Sequence, residues 1–425
     1  ETLQNMSVGV GTNVRGPPAL IENLPKIMQL LEPDRATSIF EECATVVIHN
    51  LATRSPYKRI LAEARAPVHL ARVAGCLQTS GKTRTYAMGA LDFMSNDLTL
   101  AELLVAQGAV PCATAALTGG KVEGTEGRGP PRFREHALGL LQSLASCKPL
   151  QETRGGLKSP QDNVIPAVVH FLDAGVPNEV ANVYAVVTLS YLCQGNGAIK
   201  SQVAKCGGVP VACRLLRSAE TPAVVRTRLA ALMQSLSVPI EQIGLGPMSR
   251  PDPGRSVKAL LEHDLVGILW EVLQSDITSE QPLLQQYALG TLENLCLQPQ
   301  AAKAVWPTGM ETLLQMLQSP GPSLKAKQHI SGVLFNCSTH TEISDLLPTV
   351  EVVQAVLSLI TAETDTLTTA ELDVEQLIGV IQNMTANESF HDVLGRANAI
   401  QSLTLALQQT VEDGKMRRGD KDAIA

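Results

Sequence analysis

The feature that most constrains this chain is a five-residue pattern: an apolar residue, one spacer, a residue that is often Asn, an apolar residue and a small residue. It occurs at Leu3 to Ser7, Ile48 to Ala52, Leu91 to Ser95, Leu141 to Ala145, Leu189 to Cys193, Met233 to Ser237, Leu292 to Cys296, Leu334 to Ser338 and Ile381 to Thr385. The fourth member falls at residues 6, 51, 94, 144, 192, 236, 295, 337 and 384, a spacing of about 47 residues. Self-similarity at such a period means that each copy is one supersecondary unit that buries its apolar side against its neighbours. Composition agrees, since the chain is 44% hydrophobic but only 3% aromatic. Leu, Ala and Val in that proportion suit helices packed in thin layers.

Between these anchors the same order returns: a polar turn, a short helix ending near Gly, a second helix, another turn, and the long anchor helix. Leu100 to Leu117 shows the first two helices, with Gly108 as the break and Pro111 suited to a first helical turn. Ser201 to Ser218 repeats the arrangement with Gly207, Gly208 and Pro210. In this order and period the chain resembles the armadillo repeat family over nearly its whole length, where a Gly before the second helix marks a sharp turn. The resemblance implies an all-α, right-handed superhelix of about nine partial or complete repeats. We expect it to span residues 1–410, followed by a charged tail over 411–425. The opening Glu1 to Ser7 reads as the last turns of an anchor helix, so the chain is expected to be part of a longer protein. Gly- and Pro-rich stretches at Thr118 to Phe133, Cys147 to Asn163 and Gly244 to Ser256 read as lengthened turns, either neutral or partner-contacting.

Each anchor helix can be numbered from its small or apolar start at Ala44, Ala87, Ala137, Ala185, Leu229, Ala288, Ile330 or Leu377. Positions one, four, five and eight are then mostly apolar and form one stripe that should pack inward. Positions zero, three and seven share a different face. Along the chain this second stripe reads Cys43-Val46-Asn50, Tyr86-Gly89-Phe93, His136-Gly139-Ser143, Tyr184-Val187-Tyr191, Arg228-Ala231-Ser235, Tyr287-Gly290-Asn294, His329-Gly332-Asn336 and Gln376-Gly379-Asn383. Four of the five Tyr residues lie on it.

In armadillo proteins this helix lines a concave groove, so the resemblance implies that the second stripe faces a partner. The candidate binding residues are Asn50, Tyr86, Phe93, His136, Tyr184, Tyr191, Arg228, Tyr287, Asn294, His329, Asn336 and Asn383. Tyr offers a large apolar area with a polar tip, and Asn can pair with the backbone of an extended peptide. The opposing reading is that Gly admits a neighbouring helix while Asn and Tyr satisfy the solenoid's own backbone. Importin alpha places a Trp four residues before the groove Asn, but those sites here are Val46, Gly290, Gly332 and Gly379. The resemblance therefore does not extend to nuclear-import cargo.

Other chemistry finds little support. A formal net charge of -7 argues against a general nucleic-acid binder. No run of about 18 to 20 apolar residues suggests a membrane span. The nine cysteines are scattered without a Cys-x-x-Cys pair, which fits reduced thiols in a cytoplasmic setting. Asn5, Asn336 and Asn383 begin Asn-x-Ser/Thr triplets only because they are the repeat's own Asn; Asn387 begins a fourth triplet. Gly75 to Thr83 has one residue too many for a phosphate loop, and Arg418 to Asp420 is read as a chance RGD. No metal-ligand spacing, cofactor motif or nucleophile elbow is present, so we expect no catalytic residue, no metal and no cofactor. His136 and His329 are expected to be solvated groove residues. The expected function is a non-enzymatic scaffold that holds an extended or helical protein segment. The alternatives are a regulator of a small GTPase and an architectural part of a ciliary or cytoskeletal assembly.

Overall fold

The computed structural model describes residues 22–32, 38–118, 131–147, 161–238, 255–275, 280–306, 308–319, 321–340, 350–365, 374–386, 388–405 and 408. The first copy of the pattern at 3–7, most of the three lengthened turns, and the charged tail with its RGD lie outside the described residues.

Every other copy of the pattern ends a long helix. We label these anchor helices α1 (Ser38–Ala52), α2 (Gly81–Ser95), α3 (Pro131–Ala145), α4 (Glu179–Cys193), α5 (Ala223–Ser237), α6 (Pro282–Leu295), α7 (Leu324–Ser338) and α8 (Val374–Thr385). Several start on a side-chain cap that satisfies an otherwise orphaned N–H: Ser80 accepts from Thr83 N, Asn178 from Ala181 N and Ser323 from Ala326 N. Short helices fill the intervals, as in Ser55–Glu63 with Ala66–Gly75 and Gly197–Lys205 with Gly208–Arg217.

The turn between the two short helices needs a left-handed residue. Gly108 and Gly207 supply it at φ 85° and 80°, as the sequence indicates. Arg65, Asp264 and Asn398 occupy the same turn in other repeats at φ 61°, 52° and 57°. Outside glycine that conformation costs roughly 1–2 kcal/mol, so the turn is held by the helices on either side. Gly208 has a different reason. A Cβ there would stand 2.6 Å from the Val203 side chain and 2.9 Å from its carbonyl oxygen, so it lets the two short helices approach.

The described residues divide into two compact units, those up to Val211 and those from Ala212 onward. In the first, α1 to α4 pack each on the next, and the helices Ala66–Gly75, Ala109–Thr118 and Gln161–Asp173 stack in a second layer. In the second, α5 to α8 pack successively in the same manner. The core lies between the layers. Positions one, four, five and eight are buried in all eight anchor helices, as in Ala87, Ala90, Leu91 and Met94 of α2. The buried stripe is wider than its sequence pattern. Position two is also buried at Thr45, Met88, Leu138, Val186, Ala230, Leu289 and Ser331, and only Ile378 of α8 is exposed there. Two polar members are satisfied locally: Thr45 Oγ1 donates to Glu41 O and Ser331 Oγ to Lys327 O. No single helix among the described residues is long and apolar enough to cross a membrane.

Leu289→Ala removes a fully buried side chain and leaves a cavity, so it is expected to destabilise the chain by about 2–5 kcal/mol in urea unfolding. Leu283→Ala, whose residue is half exposed on the same helix, is expected to stay within about 0.5 kcal/mol of the parent.

Candidate functional site

Eleven of the twelve candidate residues are half-buried, and Arg228 is exposed. They share the anchor-helix face opposite the core stripe. The structure brings several together in the first unit. The His49 ring packs edge-on to Tyr86 and Phe93, with centroids 5.1 and 5.3 Å apart, and Phe93 meets His136 at 5.8 Å. Burial lowers the pKa of His49, partly offset by its bond to Asn50. Burial, followed by the carboxylates of Asp92 and Glu135, pushes the Tyr184 hydroxyl above its ordinary value.

His136 and His329 are not the solvated residues expected from sequence. His136 Nδ1 lies 2.8 Å from Asp92 Oδ2, and His329 Nδ1 lies 2.6 Å from Glu293 Oε2. Their side chains are only 21% and 11% exposed, because each ring lies across the preceding anchor helix. An ionised carboxylate only accepts, so in each pair the Nδ1–H donates to it.

The position-three glycines explain how this is accommodated. A Cβ at Gly139 would stand 2.7 Å from Asp92 Oδ1, and one at Gly332 would meet Glu293. A Cβ at Gly89 would stand 3.3 Å from His136 Nε2, and one at Gly290 would stand 3.0 Å from His329 Nε2. Each pair of helices is therefore reciprocally locked. The histidine of the later helix sits on the glycine of the earlier one, the acid of the earlier helix sits on the glycine of the later one, and acid and histidine bond to each other. One lock joins α2 to α3 in the first unit, and another joins α6 to α7 in the second. Gly89 and Gly290 also seat His49 and Gln234 from the helix before, and Gly379 seats Phe335. Of the two readings of these glycines, close packing is what the geometry shows.

The asparagines take part in the same joints. Asn294 Nδ2 donates to Ser237 Oγ at 3.0 Å, Asn336 Nδ2 to Glu293 O at 2.8 Å, and Asn383 Nδ2 to Ser338 Oγ at 3.0 Å. An amide has two N–H donors and an oxygen acceptor, so one such bond does not exhaust it.

Two sets of residues were missed from sequence. Position six (His49, Asp92, Gln234, Glu293, Phe335) was passed over because it is adjacent to the stripe rather than on it. A signal existed in the matching runs Tyr86 to Asp92 and Tyr287 to Glu293, each followed in the next anchor helix by His-x-x-Gly. The other set is position minus four, one turn before position zero on the same helix face. It carries the exposed Ile39, Val180, Val224 and Leu283.

Among the described residues no group of three or more His, Cys, Asp or Glu side chains could hold a metal ion. The thiols differ widely in how readily they ionise. Burial pushes Cys193 up to about 12, and Cys112 and Cys213 up to about 11, whereas hydrogen bonding with Thr79 lowers Cys76. A lower value means more thiolate at a given pH. Between about pH 7 and 9, pulse alkylation read by mass spectrometry is expected to label Cys76 well before Cys112 and Cys213, and Cys193 only on unfolding.

A second expectation concerns the locks. Gly139→Ala and Gly332→Ala should each cost about 1–3 kcal/mol through overpacking, while Gly75→Ala, with open space around it, should be neutral or slightly stabilising. In a Glu293→Ala background the cost of Gly332→Ala should largely vanish in a double-mutant cycle.

No family model matches the chain, and no curated protein sequence matches it. Solved structures do. A structure from work on the interaction between cadherin and beta-catenin aligns with 95% of this chain and 77% of its own, at 14% identity and a TM-score of 0.69. A crystal structure of an engineered protein aligns with 90% of this chain and 93% of its own, at 17% identity and a TM-score of 0.53. A designed armadillo repeat protein aligns with 64% of this chain at 17% identity and a TM-score of 0.48. With the first two of these likenesses beside the 47-residue period and the layered anchor helices, the fold is an all-α, armadillo-type repeat solenoid.

Proposed function

We propose that the chain is a non-enzymatic interaction scaffold that binds a protein segment along the face of its anchor helices. The observation that carries this reading is the half-burial shared by the row at positions zero and seven, with Arg228 exposed. Tyr86, Phe93, Tyr184, Tyr191 and Tyr287 are each partly buried and partly accessible, and His49 packs edge-on against Tyr86 and Phe93. Large rings held in this way present contact area with little entropy left to lose on binding. Asn294, Asn336 and Asn383 add amides whose orientation is set by a bond to the preceding helix. A segment lying across successive anchor helices would meet one ring or amide per repeat.

The locked joints support the reading, because a rigid surface binds without reorganising. Catalysis finds no comparable support. His136 and His329 spend Nδ1 on a neighbouring helix, and the buried thiols are held in the protonated form. The beta-catenin likeness is consistent with a scaffold, and the cadherin named with it is that protein's partner.

The test is quantitative affinity purification from the native cell, comparing wild type with Tyr184→Ala/Tyr191→Ala/Asn294→Ala after helicity and melting are shown to be intact. The expected outcome is loss of a defined set of partners, roughly tenfold or more in abundance for each direct one. An unchanged partner list from the folded variant would overturn the proposal.

A further inference from the structure

The second unit has a surface feature that the row at positions zero and seven does not explain. Val224, Leu283 and Leu324 lie in the first turns of α5, α6 and α7, and they are 45%, 51% and 42% exposed. Most of the described aliphatic side chains are buried, yet Val224 and Leu283 are exposed at the same position, minus four, of adjacent helices; α7 carries Lys325 at that position, with Leu324 one residue before it. On the face of Val224 and Leu283, the first two turns of these helices carry the exposed cations Arg228 and Lys325 and no Asp or Glu, whereas Arg226 and Lys327 lie on the far side of their helices. The chain as a whole carries 41 acidic and 34 basic residues, so this strip runs against its overall charge.

The cations also oppose the local helix electrostatics. The N-terminal end of a helix is its positive end and ordinarily attracts acidic side chains, yet none stands in the first turn of α5, α6 or α7. Pro222 and Gln281, which precede α5 and α6, make no side-chain cap bond, so first-turn N–H groups there have no side-chain acceptor at the cap. Among the described residues no carboxylate bonds Arg228 or Lys325; Lys325 Nζ reaches only Gln328 Oε1, at 3.4 Å. Positive ends, free cations and exposed aliphatics thus coincide on one strip.

We propose that this rim of the second unit is a docking strip for an acidic, aliphatic segment of a partner protein, with Val224 and Leu283 receiving its apolar side chains and Arg228 and Lys325 its carboxylates. The inference rests on the scaffold reading and narrows the partner's chemistry. Three helices spaced about 8–10 Å apart give a strip roughly 20 Å long, the reach of about six extended residues. A strip one side chain wide per helix, without Trp or Tyr in the row, suits a chain segment better than a bilayer surface.

The test selects a random linear peptide library on the full chain, then measures the enriched peptides by fluorescence anisotropy on wild type, on Arg228→Glu/Lys325→Glu and on Leu283→Ser. All three altered positions are exposed, and unchanged helicity and melting are confirmed first. The expected result is an enriched class carrying both Asp/Glu and Leu/Ile/Val, weakened roughly tenfold or more by either variant and markedly by added salt. Enrichment of neutral or basic peptides, absence of any acidic–aliphatic class, or equal binding to the variants overturns the proposal. Phosphatidylserine vesicles serve as a separate probe. Rim-dependent vesicle binding without the peptide class would assign the strip to a membrane and likewise overturn it. If Tyr184→Ala/Tyr191→Ala/Asn294→Ala loses native partners while the rim variants keep them, the scaffold reading stands and only the rim proposal falls.

Discussion

The structure depends on how closely consecutive anchor helices approach within each unit. One repeat cannot bury its own aliphatic face, so each helix needs a neighbour within van der Waals reach of its whole length. Position three is where the backbones come near enough that a side chain from the preceding anchor helix lies directly on them. At Gly89, Gly139, Gly290, Gly332 and Gly379 the absence of a Cβ leaves room for His49, Asp92, Gln234, Glu293 and Phe335 respectively. Glycine is unfavourable inside a helix by about 0.5–1 kcal/mol relative to Ala, and the contacts it permits offset that cost.

The acid–histidine pairs turn this approach into a fixed register. Asp92 with His136 and Glu293 with His329 each join positions that are half-buried, so the bond is shielded from the solvent that weakens surface pairs. By contrast, Lys82 with Glu42 and Arg217 with Glu271 are largely exposed and contribute little beyond local order. The buried joint also orients what lies beside it. Asn336 bonds the backbone of Glu293, and Phe93 stacks edge-on against His136. The surface offered to a partner is thereby assembled from groups that already hold one another in place.

Much of the fold was legible because helical periodicity is local. The recurrent apolar stripe at positions one, four, five and eight, and the left-handed turn at Gly108 and Gly207, follow from residues a few places apart. The same turn at Arg65, Asp264 and Asn398 was not legible, since tertiary packing there overrides a residue preference. The second stripe was read from its shared helical face, and its twelve candidate residues are half-buried or, at Arg228, exposed, whereas its members Val46, Gly89, Gly139, Gly290 and Gly332 are buried. The solvated histidines were misread because nothing within one helix shows that a neighbour's carboxylate lies above it.

The sequence by itself determined the repeat, its length, the helix boundaries near each anchor, and which face of each anchor helix is apolar. Those properties depend on 3.6-residue periodicity and on turn chemistry, both written within a dozen residues. Only the tertiary structure decided that position two is core, that the glycines are seats and not open floor, and that Asp92 meets His136 across 44 residues of chain. Such contacts depend on the axial offset between neighbouring helices. That offset is set by the packing of whole helix surfaces, and no short stretch of either helix contains it.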